Sequence, residues 1–222
     1  MNRMLSPKTI ITVDGLDGSG KSTFARGLVT AFTTAGVRSV VVRVDDFRRP
    51  IDWGTAASES DVYYDAYYDL ALCESSLAAF LAGASGTTIP NFELASERLE
   101  GSRPLVFEGC AVAVVEGVFP LRIPSAAGGM QIYLETSESE ARRRIIARDL
   151  QKGRTREEIE RRIDRRYFPS QARYRAAFGP RERADVIIDN EAPGSARALR
   201  RDLGRLPEAL RTILDQALPP LR

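Results

Sequence analysis

Gly15-Leu16-Asp17-Gly18-Ser19-Gly20-Lys21-Ser22 fits the pattern G-x-x-x-x-G-K-[ST] without a mismatch, and Thr23 follows it. Each residue type in that run has a chemical reason to be there. Gly15, Gly18 and Gly20 let the backbone turn tightly and point successive N–H groups at a polyphosphate, with Asp17 and Ser19 completing the turn. The helix that follows adds the positive end of its dipole. Lys21 can reach the outer phosphates, and the Ser22 hydroxyl can hold Mg²⁺. The stretch therefore reads as a phosphate-binding loop.

Phosphoryl transfer then needs metal, cations for the moving charge, and a base for the attacking hydroxyl. Asp45 is the candidate base, because it ends the strand after the loop helix and could take a hydroxyl proton or hold metal-bound water. Its neighbour Asp46 fits a turn cap better. Glu116 ends an apolar strand and is a second acidic group for Mg²⁺. Arg142, Arg143, Arg144, Arg148 and Arg154 crowd one segment with unbalanced charge, as a lid closing over phosphates would require. Glu157/Arg161 and Glu158/Arg162 are spaced i,i+4 and read as surface pairs. Asp61, Asp65 and Asp69 would repel one another along one helix face unless a polyhydroxy ligand or an arginine lies nearby. Tyr63, Tyr64, Tyr67 and Tyr68 form adjoining stripes that read first as packing and second as a stacking surface.

The elements that must carry these residues alternate. Ile10 to Val13 is a short β-branched strand, Ser22 to Ala35 a helix stopped by Gly36, and Val37 to Val44 a buried strand. Ligands of open parallel sheets sit beyond the carboxyl ends of strands, so Asp45 should face the loop's crevice. Asp61 to Leu81 reads as a helix broken near its start. Thr87 to Phe92 and Arg103 to Phe107 read as strands of an antiparallel flap over a substrate. Ala111 to Val115 and Met130 to Leu134 are core strands. Ser137 with Glu140 makes a capping box for a helix running to about Lys152, and Arg156 to Phe168 is a second helix ended by Pro169. Asp185 to Asp189 is the last strand, Pro193-Gly194 a loop, and Ala196 to Leu218 a C-terminal helix weakened by Gly204 and Pro207. This order predicts an α/β sandwich with a parallel sheet and right-handed crossovers.

Composition narrows the chemistry. A chain of 222 residues suits one sizeable domain, here taken as 1–222. It contains no histidine, which removes Ser-His-Asp and Cys-His catalysis and the usual zinc sites. The formal charge of +2 argues against a nucleic-acid partner. No apolar run reaches membrane-spanning length, and residues 1–8 lack the apolar core of a signal peptide, so a cytoplasmic protein is expected. Self-association is left open.

An ordered set of motifs carries a family resemblance. GLDGSGKST, Asp45-Asp46-Phe47, Tyr68-Asp69, Pro90-Asn91-Phe92-Glu93, VVEGVF at 114–119, RRIIARDLQKGRT at 143–155 and ADVIID at 184–189 together resemble the uridine kinase/phosphoribulokinase family. The resemblance covers about Thr9 to Asn190. It implies a P-loop NTPase three-layer sandwich with a five-stranded parallel core, a small antiparallel substrate flap at about 87–108 and a helical lid at about 142–168. It also implies ATP and Mg²⁺ as cofactors and a primary hydroxyl of a small molecule as acceptor, first of all the 5′-hydroxyl of a nucleoside. By position, Asp45 matches the catalytic Asp, Asp69 the Asp that holds ribose hydroxyls, Phe92 and Glu93 the base-pocket pair, Glu116 the acid near Mg²⁺, and Arg154 the lid arginine. Arg144 and Arg148 are lid residues over the phosphates. Two departures stand out. Ser96-Glu97-Arg98 replaces the base-reading His, and Arg48 replaces the Tyr that usually follows Asp-x-Phe. A sugar, pantothenate or vitamin-like alcohol is therefore the alternative acceptor. A regulatory P-loop NTPase is the rival from another class.

Overall fold

Strand β1 (Thr9–Gly15) alternates its side chains between two cores, and the rest of the chain is stacked on that division. Ile11 and Val13 join one apolar cluster and Ile10 the other, while Thr12 and Asp14 use their polar atoms on the Ile10 side. The computed structural model describes residues 8–93, 96–192 and 194–221. The expectation for residues 1–8 lies outside them except at Lys8, as does Pro193 of the expected loop.

Helix α1 (Lys21–Thr34) follows the Gly-rich turn and buries Ala25, Leu28 and Phe32 against the Ile11 face. It ends at Gly36, whose φ of 74° suits glycine and whose N–H donates to Thr33 O at 3.0 Å. Strand β2 (Ser39–Arg43) is shorter than expected, because Val44–Phe47 tightens into a 3₁₀ turn that carries Asp45 and Asp46.

The expected helix over Asp61 to Leu81 is two helices, α2 (Glu59–Asp65) and α3 (Leu70–Leu81). Asp69 causes the break: its Oδ1 accepts from Leu72 N at 2.9 Å, capping the second helix. Strands β3 (Gly86–Glu93) and β4 (Arg98–Val106) form the expected antiparallel pair. Then come β5 (Val112–Glu116), α4 (Pro124–Gly128) and β6 (Met130–Glu135).

Helix α5 (Glu138–Leu150) is capped by Ser137 Oγ, which accepts from Glu140 N at 3.2 Å. Only half of the capping box forms, since the Glu140 carboxylate goes to Arg143 and Arg144. After α6 (Arg156–Arg162) the chain does not stop at Pro169. A π-helical turn, Ile163–Tyr167, leads into α7 (Phe168–Phe178). Pro169 then falls in the first turn of a new helix, where a missing N–H costs little.

A short α8 (Pro180–Arg183) precedes β7 (Val186–Asp189). The expected C-terminal helix is also corrected. Its first part is a strand, β8 (Arg197–Arg201), and only Glu208–Ala217 is helical, as α9. Gly204 and Pro207 separate the two, and Ala198 is fully buried on β8, which covers the edge of β7.

The main sheet runs β2-β5-β1-β6-β7-β8. The first five strands are parallel, as the family resemblance implies, and β8 is antiparallel. Helices α1 and α9 cover one face, and α2, α3, α4 and α7 the other, giving three layers. The carboxyl ends of β1, β2 and β5 open on one side of the sheet, where β5 is wedged between its two neighbours.

Candidate active site

Backbone geometry builds the first half of the site. Gly15, Gly18 and Gly20 have φ of 144°, 82° and 96°. A Cβ at Gly15 would lie 2.6 Å from Leu134 O, and one at Gly18 2.5 Å from Ala141 O. Glycine is thus required both by conformation and by the approach of β6 and α5. Lys21 Nζ is folded back onto Gly15 O and Leu16 O at 2.9 and 2.8 Å. Thr23 is the exposed third residue of α1, where Thr23 N donates to Gly20 O at 3.1 Å. Phe24 N donates to Gly20 O as well, at 3.0 Å, which leaves the N–H groups of Lys21 and Ser22 at the opening of α1 for an anion.

A loop cavity of about 410 Å³ lies over this turn, lined by Lys21, Ser22, Asp45, Glu116, Arg144 and Arg148 among others. It brings together residues from the glycine turn after β1, α1, the turn after β2, the end of β5, and α5. Ser22 Oγ donates to Glu116 Oε2 at 3.1 Å. Burial raises the Glu116 carboxyl, and the charge of Asp45 raises it further, against Lys21, the Ser22 bond and Arg43. Two carboxylates that repel across a hydroxyl form an all-oxygen donor set that a small dication would neutralise, and Mg²⁺ fits it. Among the described residues no three His, Cys, Asp or Glu side chains cluster as a protein-only metal cage. Mg²⁺ commonly keeps several waters and phosphate oxygens instead.

Asp45 also lines a second and a third cavity. The second, about 320 Å³, runs to Asn91 and Phe92 on β3. The third, about 130 Å³, is walled by Tyr63, Tyr67, Tyr68 and Tyr167 and by arginines. Arg48 lines both and pairs with Asp45, Nη2 to Oδ1 at 3.0 Å. Asp17 lines the loop cavity and the smallest one, with Oδ2 buried and unpartnered. Burial raises its carboxyl, with Lys21 opposing and Asp45 adding to the effect.

The arginine-rich segment is better balanced than its sequence indicates. Glu140 holds Arg143 and Arg144, Asp164 holds Arg142, and buried Asp149 is shared by Arg148, Lys152 and Arg154. Arg144 reaches the glycine turn itself, donating to Asn190 O at 2.8 Å and Gly18 O at 3.5 Å. Arg154 faces the tyrosine-walled cavity and Arg148 faces both. Glu158 pairs with Arg162 at 2.6 Å as expected, but Arg161 turns away from Glu157 to Glu59 on α2.

Other positions lie apart. Asp69 is occupied by its helix cap and by Arg49, 2.8 Å away, and does not line these three cavities. Glu93 pairs in register with Arg98 across the β3–β4 hairpin and does not line them either. Asp61 and Asp65 share Arg173 at 3.3 and 2.7 Å, which is the neighbouring arginine their spacing called for. Tyr63, Tyr64 and Tyr68 are buried against Phe119, so packing is their first role. Asp46 is tied to Arg103 on β4 at 2.6 Å.

Three participants had no sequence signal. Asn190 Nδ2 donates to Ser19 O at 2.7 Å and so ties the end of β7 to the loop. Tyr174 OH donates to Asp14 Oδ2 at 2.6 Å, while Asp14 Oδ1 accepts from Gly15 N at 2.6 Å. Burial lifts Asp14 to about 6 against those two bonds and Lys21. Arg166 stacks on Trp53, 3.4 Å from ring centre, and binds Glu59.

The match to known proteins agrees with this geometry. The model of the phosphoribulokinase/uridine kinase family matches residues 10–192. The chain belongs to that family. A possible uridine kinase from Bacillus stearothermophilus is 20% identical with a TM-score of 0.63, over 82% of this chain and 89% of that one. The D-glycerate 3-kinase from Cryptococcus neoformans var. grubii is 13% identical with a TM-score of 0.54, over 89% of this chain and 92% of that one. These likenesses show a shared fold. No curated protein matches the chain. Family membership places it among small-molecule kinases, which in general use ATP and Mg²⁺. Among the described residues no helix is long and apolar enough to cross a membrane.

Proposed function

We propose that the chain, as one kinase domain over 1–222, transfers the γ-phosphoryl group of ATP to a primary hydroxyl of a small molecule. The observation that carries this reading is that Asp45 lines the loop cavity with Lys21 and Ser22 and also both cavities beyond it. A hydroxyl entering from the far side meets Asp45 before the phosphates. Asp45 takes its proton, its oxygen forms the new bond to phosphorus, and the electrons of the broken β–γ bridge leave with ADP. Ser22, Glu116 and Asp45 would hold Mg²⁺, directly or through water, and the ion would supply charge neutralisation between β- and γ-oxygens. Lys21 releases its two carbonyls for the phosphates. Arg148 and Arg154, swinging from Asp149, cover the transferred group, and Arg144 braces the loop.

Two acceptor classes have support. The 5′-hydroxyl of a nucleoside is supported by the family, which includes uridine kinases, and by the cavity that runs to Phe92, with the 87–108 hairpin as flap and 142–168 as lid; Asp69 and Glu93 would have to turn inward on closure. A compact sugar, pantothenate or vitamin-like alcohol is supported by the tyrosine-walled cavity of about 130 Å³, well under the usual lower limit of about 300 Å³ for larger ligands. A phosphate-transfer screen over nucleosides, sugars and vitamin-like alcohols separates the two. ATP turnover that no alcohol accelerates would overturn the kinase reading.

A further inference from the structure

Asp17 stands between the nucleotide and the acceptor. It lines both the loop cavity and the tyrosine-walled one, as Asp45 does, whereas Lys21, Ser22 and Glu116 line only the first of these two. The glycine turn thus sends one side chain past the phosphate and metal donors to the acceptor's side.

That side chain is incomplete. Its Oδ2 is buried with no hydrogen-bond partner among the described residues. The cations whose charge reaches it are bonded elsewhere, Lys21 to Gly15 O and Leu16 O, and Arg148 to Asp149. The neighbouring amide of Gln171 on α7 does not complete it, since Gln171 Nε2 is buried without a partner as well and lines neither cavity. A carboxylate oxygen taken out of water and left unbonded is costly, so the position calls for a donor that arrives with a ligand.

The surroundings select that donor. The phosphates of ATP, like any anionic group, share the sign of the Asp17 charge and bring it no proton. A cationic group would enter a wall that already holds Arg48, Arg148, Lys152, Arg154, Arg162 and Arg166. A neutral hydroxyl meets both conditions, because it donates to the carboxylate and adds no charge. Asp69, to which the family resemblance gives the acceptor's hydroxyls, is occupied by Leu72 N at 2.9 Å and by Arg49 at 2.8 Å and lines neither cavity.

We infer that Asp17 binds a second hydroxyl of the acceptor, so that the substrate is a diol with one hydroxyl at Asp45 and the other donating to Asp17 Oδ2. The inference rests on the kinase reading and adds to it a residue that selects the acceptor. Because the two carboxylates face one cavity of about 130 Å³, the two hydroxyls belong on adjacent carbons or on carbons with one other between them. A site that hydrogen-bonds a hydroxyl rejects the analogue lacking it, since the buried carboxylate is then left unpaired.

The test removes that hydroxyl and that carboxylate separately and together. Uridine is compared with 3′-deoxyuridine, ribose with 3-deoxyribose, and pantothenate with the analogue lacking its secondary hydroxyl, in wild type, Asp17→Asn, Asp17→Ala and Asp69→Asn. Wild type should turn over at least one parent with a kcat/KM at least about tenfold above that of its deoxy analogue. In Asp17→Ala that ratio should fall to within about twofold of unity, with Asp17→Asn between, while Asp69→Asn, which keeps a helix cap, leaves the ratio as in wild type. Each ratio is taken within one variant, so a loss of folded protein or of ATP affinity cancels, and Asp17→Asn carries the test alone if Asp17→Ala does not fold. Deoxy analogues turned over as well as their parents overturn the inference, as does a preference that survives in the Asp17 variants; either result leaves the kinase reading standing. Absence of acceptor-dependent turnover across the whole panel overturns both.

Discussion

The two sides of Asp45 are built by different means. The loop cavity is founded on main chain: the glycine turn and the start of α1, one contiguous run of residues, form its base, and Asp45, Glu116, Arg144 and Arg148 add side chains from other segments. The acceptor side is side chain: tyrosines from α2 and the following turn, arginines from α5, α6 and the π-helical turn, and Arg48 converge from segments more than a hundred residues apart. Chemistry common to a family can sit on the first kind of surface, because backbone amides read any polyphosphate. Discrimination among acceptors needs the second, where one exchange such as Tyr for Arg48 changes what the cavity will hold.

The largest expected effect is on the main-chain side. Gly18→Ala places a Cβ 2.5 Å from Ala141 O at a φ of 82°. Left-handed backbone costs about 1–2 kcal/mol and overpacking about 1–3 kcal/mol more. Thermal melting should drop by several degrees and ATP titration should show weakened binding. An unchanged melting curve would mean that the loop tolerates side chains and is not fixed as described.

A second prediction concerns the residue that joins the two sides. Asp14 ties the loop to Tyr174 of α7, and its carboxyl lies at about 6 instead of the ordinary 3.8. Between those values the folded chain keeps a proton that the unfolded chain has lost. Stability therefore falls as pH rises through that window, by about 3 kcal/mol, and the loss stays constant above it. Asp14→Asn should abolish this component. The gap between the two stability curves, from denaturant titrations at about pH 4 and about pH 7, should change by that amount. Parallel curves would refute it.

The smallest effect is predicted at the outer rim of the acceptor side. Arg173 bridges Asp61 and Asp65 with its side chain 47% exposed. Exposed pairs contribute about 0–1 kcal/mol, so Arg173→Ala should barely move stability or turnover. A large loss of turnover would extend the functional surface outward along α2.

The same division explains what could be read in the sequence. Strand alternation, the glycine run, the 3.6-residue periods and the motif order were local, and they carried the parallel core, the hairpin, and the grouping of Lys21, Ser22, Asp45 and Glu116. Errors came where a local signal had two outcomes. Pro169 read as a stop begins a new helix, and Arg197–Arg201 read as helix covers a strand edge. The balancing of the arginines by Glu140, Asp149 and Asp164, and the tie from Asn190 to the loop, depend on contacts that no spacing announces.

The most direct test of the account is the Asp45→Asn variant, assayed for phosphoryl transfer beside an ATP titration. Loss of a general base is worth about 10²–10⁴ in rate. Turnover should fall by that factor while ATP affinity stays within a few-fold of wild type. Full turnover in Asp45→Asn would contradict the account.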